Sequence, residues 1–291
     1  MTAKKPVVEV EPLSPLMIEP AVRAAMLEDF GRAGDLTTEA TVKATATAHA
    51  VIEAREPGRI AGLDFALTSF RLLDPRIKVT VQAPDGCDVA RGDVVATVEG
   101  HARPILTAER VALNFLGRLS GVATAAANLV KLVEGTKARV VCTRKTTPGL
   151  RAFEKYAVRC GGGRNHRFGL DDGILIKDNH IVAAGGIRNA VISARAHAGH
   201  MVNVEVEVDS LKQLEEALAL GVNAILLDNM TPDQLREAVK LTNGRAILEA
   251  SGNVTVETIA AIAATGVDLI SSGAITHSAK CLDLGLDFRA G

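Results

Sequence analysis

The sequence predicts an α/β protein in two parts, a small α+β domain followed by a run of parallel βα units. Three observations carry this. Short apolar runs recur through the second half of the chain, and amphipathic helical patterns separate the later ones. The last three runs begin at Asn223, Arg245 and Val267, each 22 residues after the one before. That is the rhythm of strands pointing one way and buried on both faces, in a doubly wound sheet or a (β/α) barrel.

The elements follow in order. Residues 20–30 (PAVRAAMLEDF) have helical spacing and stop at Gly31, after which GRAGDLTTEA reads as a turn. Residues 47–56 alternate like a half-buried strand and 64–73 look helical; 77–83 and 94–100 read as strands joined by tight turns. From Ile105 the grain changes to one long apolar-periodic helix, with Gly117 and Gly121 as candidate interruptions. Six strands then stand out: 138–143, 172–177, 201–208, 223–228, 245–250 and 267–272. The later helical patterns each open on Ser or Thr and close on Gly, as capped helices do. A seventh strand could lie between 145 and 172, where the pattern is unreadable.

Composition removes several function classes. Of 291 residues, 47% are hydrophobic and 23% charged, enough to bury a full core. The net charge of -1, no Trp and one Tyr argue against a nucleic-acid or membrane-surface binder. The longest uncharged stretch, Leu119 to Val130, is too short for the ~20 apolar residues of a membrane helix. The first 16 residues carry lysines with no apolar core behind them, unlike a secretory signal. Cys87, Cys142, Cys160 and Cys281 form no C-x-x-C pair, so buried free thiols are expected. A cytoplasmic protein is the expectation.

The chemistry is expected at the strand ends. Apolar runs end in Thr143-Arg144-Lys145, Lys177, Glu205 with Glu207, Asp228-Asn229, Glu249 with Ser251, and Ser271-Ser272-Gly273. In a parallel barrel these ends share one face, where active sites are built. A lone charge after a strand is ordinarily a solvated loop residue or a helix cap; six ends alike point further. Charge is also segregated: residues 137–177 carry ten Lys/Arg and three acids, while the rest of the chain is net negative. Arg151, Lys155 and Arg159 are spaced as one solvated helix face. Arg144, Lys145, His166, Arg167 and Lys177 instead sit at strand ends or in the loop GGGRNHR, and suit a small polyanion bearing carboxylates and phosphates. Of Glu205 and Glu207, one is expected to face the interior and the other outward. An inward carboxylate there could bind Mg²⁺, stabilise a developing cation or balance the lysines, and the residues alone do not choose.

The segment TRKTTPGLRAFEKYAVRCGGGRNHRFGLDDGILIKDNHI (143–181) closely resembles the signature of the quinolinate phosphoribosyltransferase family. So do GDLTTEA, TAERVALNFLGRLSGVAT, VEVEVDSL, AILLDNM, LEASGNVT and SSGAITHSAKCLDLGLDF, nearly end to end. The resemblance implies an N-terminal α/β sandwich domain (residues 1–116), an incomplete seven-stranded α/β barrel (117–274), and a C-terminal segment (275–291) packing back on the first domain. It implies a pentosyl transfer in de novo NAD biosynthesis: quinolinate and phosphoribosyl pyrophosphate give nicotinate mononucleotide, pyrophosphate and CO₂, with Mg²⁺ and no organic cofactor. It also implies a homodimer, or a higher assembly of it, whose active site borrows residues from the partner.

Carried over by position, the quinolinate carboxylates meet Arg144, Lys145, His166, Arg167 and Lys177, beside Thr143. Arg110 matches the arginine supplied by the neighbouring subunit. Glu207 and Asp228 match the acids near ribose and metal, and Lys145, Glu207 and Asp228 are the expected catalytic set. Ser251-Gly252-Asn253 and Ser272-Gly273-Ala274 match the phosphate loops, with His277 close by. One departure concerns LISSGAITH, whose serines before the glycine stand where small apolar residues are expected. Two other enzyme readings compete: a Schiff-base aldolase using Lys145 or Lys177, and a molybdenum-utilisation relative of the same fold. A pure binding role is the blandest.

Overall fold

A computed structural model describes residues 8–289. The lysine-bearing start of the N-terminal stretch and the last two positions of the C-terminal segment lie outside that range. Two compact units divide the chain. The first runs to Ala127 and adds Ala152–Gly162 and the segment from Ala279; the second comprises Asn128–Arg151 and Gly163–Ser278.

The first unit holds an antiparallel four-stranded sheet and a two-stranded ribbon. Its strands are β1 (Thr47–Ala54), β2 (Gly58–Arg59), β3 (Lys78–Val81), β4 (Asp88–Val89), β5 (Val94–His101) and, from the C-terminal segment, β12 (Leu284–Phe288). Sheet order is β12-β1-β5-β3, and β2 pairs β4. β4 lies inside what the sequence reads as plain turn and pairs with β2, where Arg59 clamps Asp88 across the ribbon. Likewise GDLTTEA is not only a turn: Asp35 accepts from the Thr38 N–H and starts a short helix, Leu36–Thr41. Asp85 does the same work for the helix Leu63–Leu73, accepting from the N–H groups of Gly62 and Leu63 and from the Tyr156 hydroxyl.

The long helix runs unbroken from Ala102 to Leu132. Its glycines mark close approach rather than interruption, since a Cβ on Gly117 or Gly121 would meet the backbone carbonyls of Leu282 or Lys280. The helix Arg151–Cys160 overturns the expected solvated face. Lys155 is only 1% exposed and Glu154 is fully buried, held by Arg118 at 2.6 Å. Charge spacing alone could not reveal that this helix packs into the first unit's core. Cys87, Cys142 and Cys160 are buried free thiols, whereas Cys281 is exposed.

The second unit is a parallel sheet. β6 (Arg139–Val141), β7 (Ile174–Ile176), β8 (Val204–Val208), β9 (Ala224–Asp228), β10 (Ile247–Ser251) and β11 (Leu269–Ser271) lie in the order β6-β11-β10-β9-β8-β7. A single-residue bridge at Arg164 pairs parallel with Val141 and stands where a seventh strand was sought. The order is that of a barrel left open between Arg164 and β7. Among the later helices, Thr231 forms a full capping box with Gln234. Ser210 makes no side-chain cap bond, and Gln213 Oε1 accepts from the Asp209 N–H at the same helix start. Thr258 makes none either, its hydroxyl being engaged with Asn253 O.

Gly121→Ala is expected to cost about 1–3 kcal/mol, because the helix and the Lys280 backbone must separate to admit a methyl group. Thermal unfolding reads this as a lowered Tm; an unchanged Tm would mean that the contact has slack.

Candidate active site

A cavity of about 830 Å³ opens where the parallel strands end. Fifteen of the sixteen expected site residues line it: the cations and His166, Thr143, Glu207 and Asp228, both phosphate-loop triplets and His277. Arg110 does not; it lies exposed on the long helix, 3.9 Å from Glu109. The positional match to the family left out Asn229, Glu249 and Ser271, although all three stand among the polar strand ends, and neither reading included Leu175, Leu226 or Val254; all six line the cavity. Glu249 and Ser271 carried the available signal, a polar residue at a strand end.

Short-range contacts hold the cationic side. The Lys145 N–H donates to Thr143 Oγ1 at 3.0 Å, and its carbonyl accepts from the Thr276 hydroxyl at 2.7 Å. Arg167 donates to Gly173 O at 2.9 Å, and its pKa is lowered first by burial and then by the like charge of Arg144. Arg144 Nε is buried without a hydrogen-bond partner. Repelling, partly desolvated guanidinium groups of this kind favour an incoming anion.

The acidic side is organised by strand periodicity. Glu205 and Glu207 are two apart on β8, so both point to the same face, contrary to the expected split. Glu207 accepts from Lys177 Nζ at 2.8 Å. Glu205 accepts from His166 Nε2 at 3.0 Å, while His166 Nδ1 accepts the Arg167 backbone N–H at 2.7 Å. These two bonds put the ring proton on Nε2. Glu249 lies 3.8 Å from the same Nε2. The three ligand-type atoms fall within 4.8 Å of one another, and their hydrogen bonds join them in one internal polar network.

The loop after β9 and the loop after β10 meet side by side. Asn229 Nδ2 donates to Asp228 at 2.8 Å, and Asn253 donates to Asn229 Oδ1 at 3.3 Å. Asn229 and Asn253 take φ of 53° and 50°, a left-handed conformation that asparagine tolerates. Gly252, at φ +96°, leaves no room for a Cβ beside Asn229.

Fold and site together define a parallel α/β barrel enzyme that handles a small polyanion. The comparisons with known proteins are specific. Residues 35–120 match the family model for the quinolinate phosphoribosyl transferase N-terminal domain, and 122–287 that for the C-terminal domain. The nicotinate-nucleotide pyrophosphorylase (carboxylating) of Mycobacterium leprae (strain TN) is 46% identical over 274 residues, covering 91% of this chain and 95% of that protein. The chloroplastic nicotinate-nucleotide pyrophosphorylase (carboxylating) of Arabidopsis thaliana is 43% identical over 289 residues, covering 92% and 82%. The crystal structure of NadC from Streptococcus pyogenes superposes with a TM-score of 0.92 at 43% identity, covering 97% of this chain and all of that one. The chain belongs to the quinolinate phosphoribosyltransferase family.

Gly252→Ala is expected to destabilise by roughly 1–3 kcal/mol, since it adds a left-handed alanine to a steric overlap with Asn229. Chemical denaturation checks this, with Gly244→Ala as control, where φ is +74° but no atom lies within 4 Å.

Proposed function

We propose that this chain joins quinolinate to phosphoribosyl pyrophosphate with loss of CO₂, yielding nicotinate mononucleotide and pyrophosphate for NAD biosynthesis. The observation that carries the reading is one cavity with Arg144, Lys145, Arg167 and Lys177 facing Glu207 and Asp228, in a chain of this family. Four cations offset the desolvation of a pyridine dicarboxylate. They hold its ring nitrogen toward the ribose anomeric carbon. As pyrophosphate leaves, the ribosyl ring becomes oxocarbenium-like, and Glu207 and Asp228 stabilise that charge. The alkylated pyridinium nitrogen then withdraws electrons from the bond to the 2-carboxylate, so decarboxylation needs little help from side chains.

Mg²⁺ arriving with phosphoribosyl pyrophosphate belongs to this proposal. Glu207 and Asp228 offer carboxylate oxygens to the same cavity, hard donors suited to an ion that keeps waters and substrate phosphates as its other ligands. When bound, the ion would neutralise charge on the departing diphosphate. The two loops at Ser251-Gly252-Asn253 and Ser272-Gly273-Ala274, with His277, hold phosphate in this reading. A cytoplasmic location belongs to it too. Among the described residues no helix is long and apolar enough to cross a membrane.

Release of CO₂ and pyrophosphate dependent on quinolinate is the direct test, and its absence refutes the reading. Quinolinate should exceed nicotinate, which lacks the 2-carboxylate, by about 30-fold to a few thousand-fold in kcat/KM, since unpairing a buried charge costs roughly 2–5 kcal/mol. Arg167→Ala should shrink that gap from the quinolinate side. Equal use of both acids by the wild type would mean that the cations do not form a dicarboxylate pocket.

A homodimer with a shared site completes the proposal. Its motive is Arg110, which matches a substrate contact but does not line the cavity of its own chain. Inactive Arg110→Ala and Lys145→Ala chains are expected to regain activity when their subunits exchange, because one hybrid site is then intact. Hybrids that form without activity would exclude a shared site.

A further inference from the structure

Glu249 has no part in the mechanism above, yet it lines the cavity and is only 2% exposed. Its Oε1 and the hydroxyl of Ser271 are both buried without a hydrogen-bond partner. The groups facing it are Glu205 from β8, His166 from the loop before β7, and Ser271 from β11. Its register partners, Leu226 on β9 and Leu269 on β11, carry no charge. Two carboxylates thus share one imidazole.

We propose that Glu249 is the charge-balancing group of the binding floor, taking up one proton from solvent as the dicarboxylate enters. The hydrogen bonds decide where that proton goes. His166 Nδ1 already accepts the Arg167 N–H, and Nε2 already carries the proton given to Glu205. Glu207 is neutralised by Lys177. Oε1 of Glu249 is the acceptor left over. An incoming dianion covers the floor and adds negative charge, and both effects favour the protonated carboxyl. Burial, and after it the charge of Glu205, already raise Glu249 to about 7 in the empty protein. The linkage sign follows. Below about 7 the proton is already present and binding takes up none; above it, affinity falls as pH rises, until the higher pKa of the complex is passed.

The inference rests on the functional reading for its ligand, and the test separates the two. Quinolinate is titrated calorimetrically into the full-length protein between about pH 6.5 and 9, in buffers of different ionisation heat. Wild type is expected to take up close to one proton per site on the alkaline side, with affinity falling up to about tenfold per pH unit there. Glu249→Gln should bind with neither effect. Ser271→Ala, the milder variant, removes a hydroxyl that favours the charged carboxylate, so its break in affinity should move to higher pH. Proton uptake that persists in Glu249→Gln overturns the inference and leaves the functional reading intact. Folded wild type giving no binding heat at any pH overturns both. Should Glu249→Gln fail to fold, an unmoved break in Ser271→Ala overturns the inference.

Discussion

The second unit depends on one constraint, that every strand of its ladder runs in the same direction. Parallel pairing from β6 through β11, β10, β9 and β8 to β7 forces all six carboxyl ends to one rim. Residues that are far apart in sequence, such as Lys145, Glu207 and Ser272, become neighbours around one cavity for that reason alone. The period of two then selects which side chains face inward, which is why Glu205 and Glu207 act together on β8. Loops contribute local adjustment: left-handed asparagines and Gly252 bring the ends of β9 and β10 into contact.

Concentrating cations in a small cavity has a physical cost, and the acids distribute it. Lys177 is matched by Glu207, while Arg144 and Arg167 keep unspent attraction for a ligand. A site wholly neutralised by its own carboxylates would hold the ligand weakly; one without them would burden the folded state with repulsion. The intermediate arrangement leaves charge available where a dianion is to sit.

Much of this was legible in the sequence, for identifiable reasons. The 22-residue spacing reports strand-helix units because buried parallel strands are uniformly apolar and their ends are not. The family signature then located the cationic side, and the structure gathers those residues into one cavity. Lys155 reads as solvated yet is buried, because helical spacing locates a face without saying what covers it. The strand at Arg164 was invisible, since one bridging residue leaves no periodicity. Gly121 looked like a helix breaker only because the carbonyl it approaches belongs to a residue 159 positions later, Lys280.

The open barrel has a further consequence for strand pairing between chains. Leaving the ladder unclosed leaves strand edges without a ladder partner among the described residues, and an unpaired edge is a template on which another chain can add a strand. Here the edge at β7 spans only Ile174–Ile176, and on the other side of the opening there is a single bridging residue. Three residues offer too few backbone groups to seed cross-chain pairing of useful strength. An incomplete barrel is thus tolerable because the elements flanking its gap are too short to recruit a foreign strand.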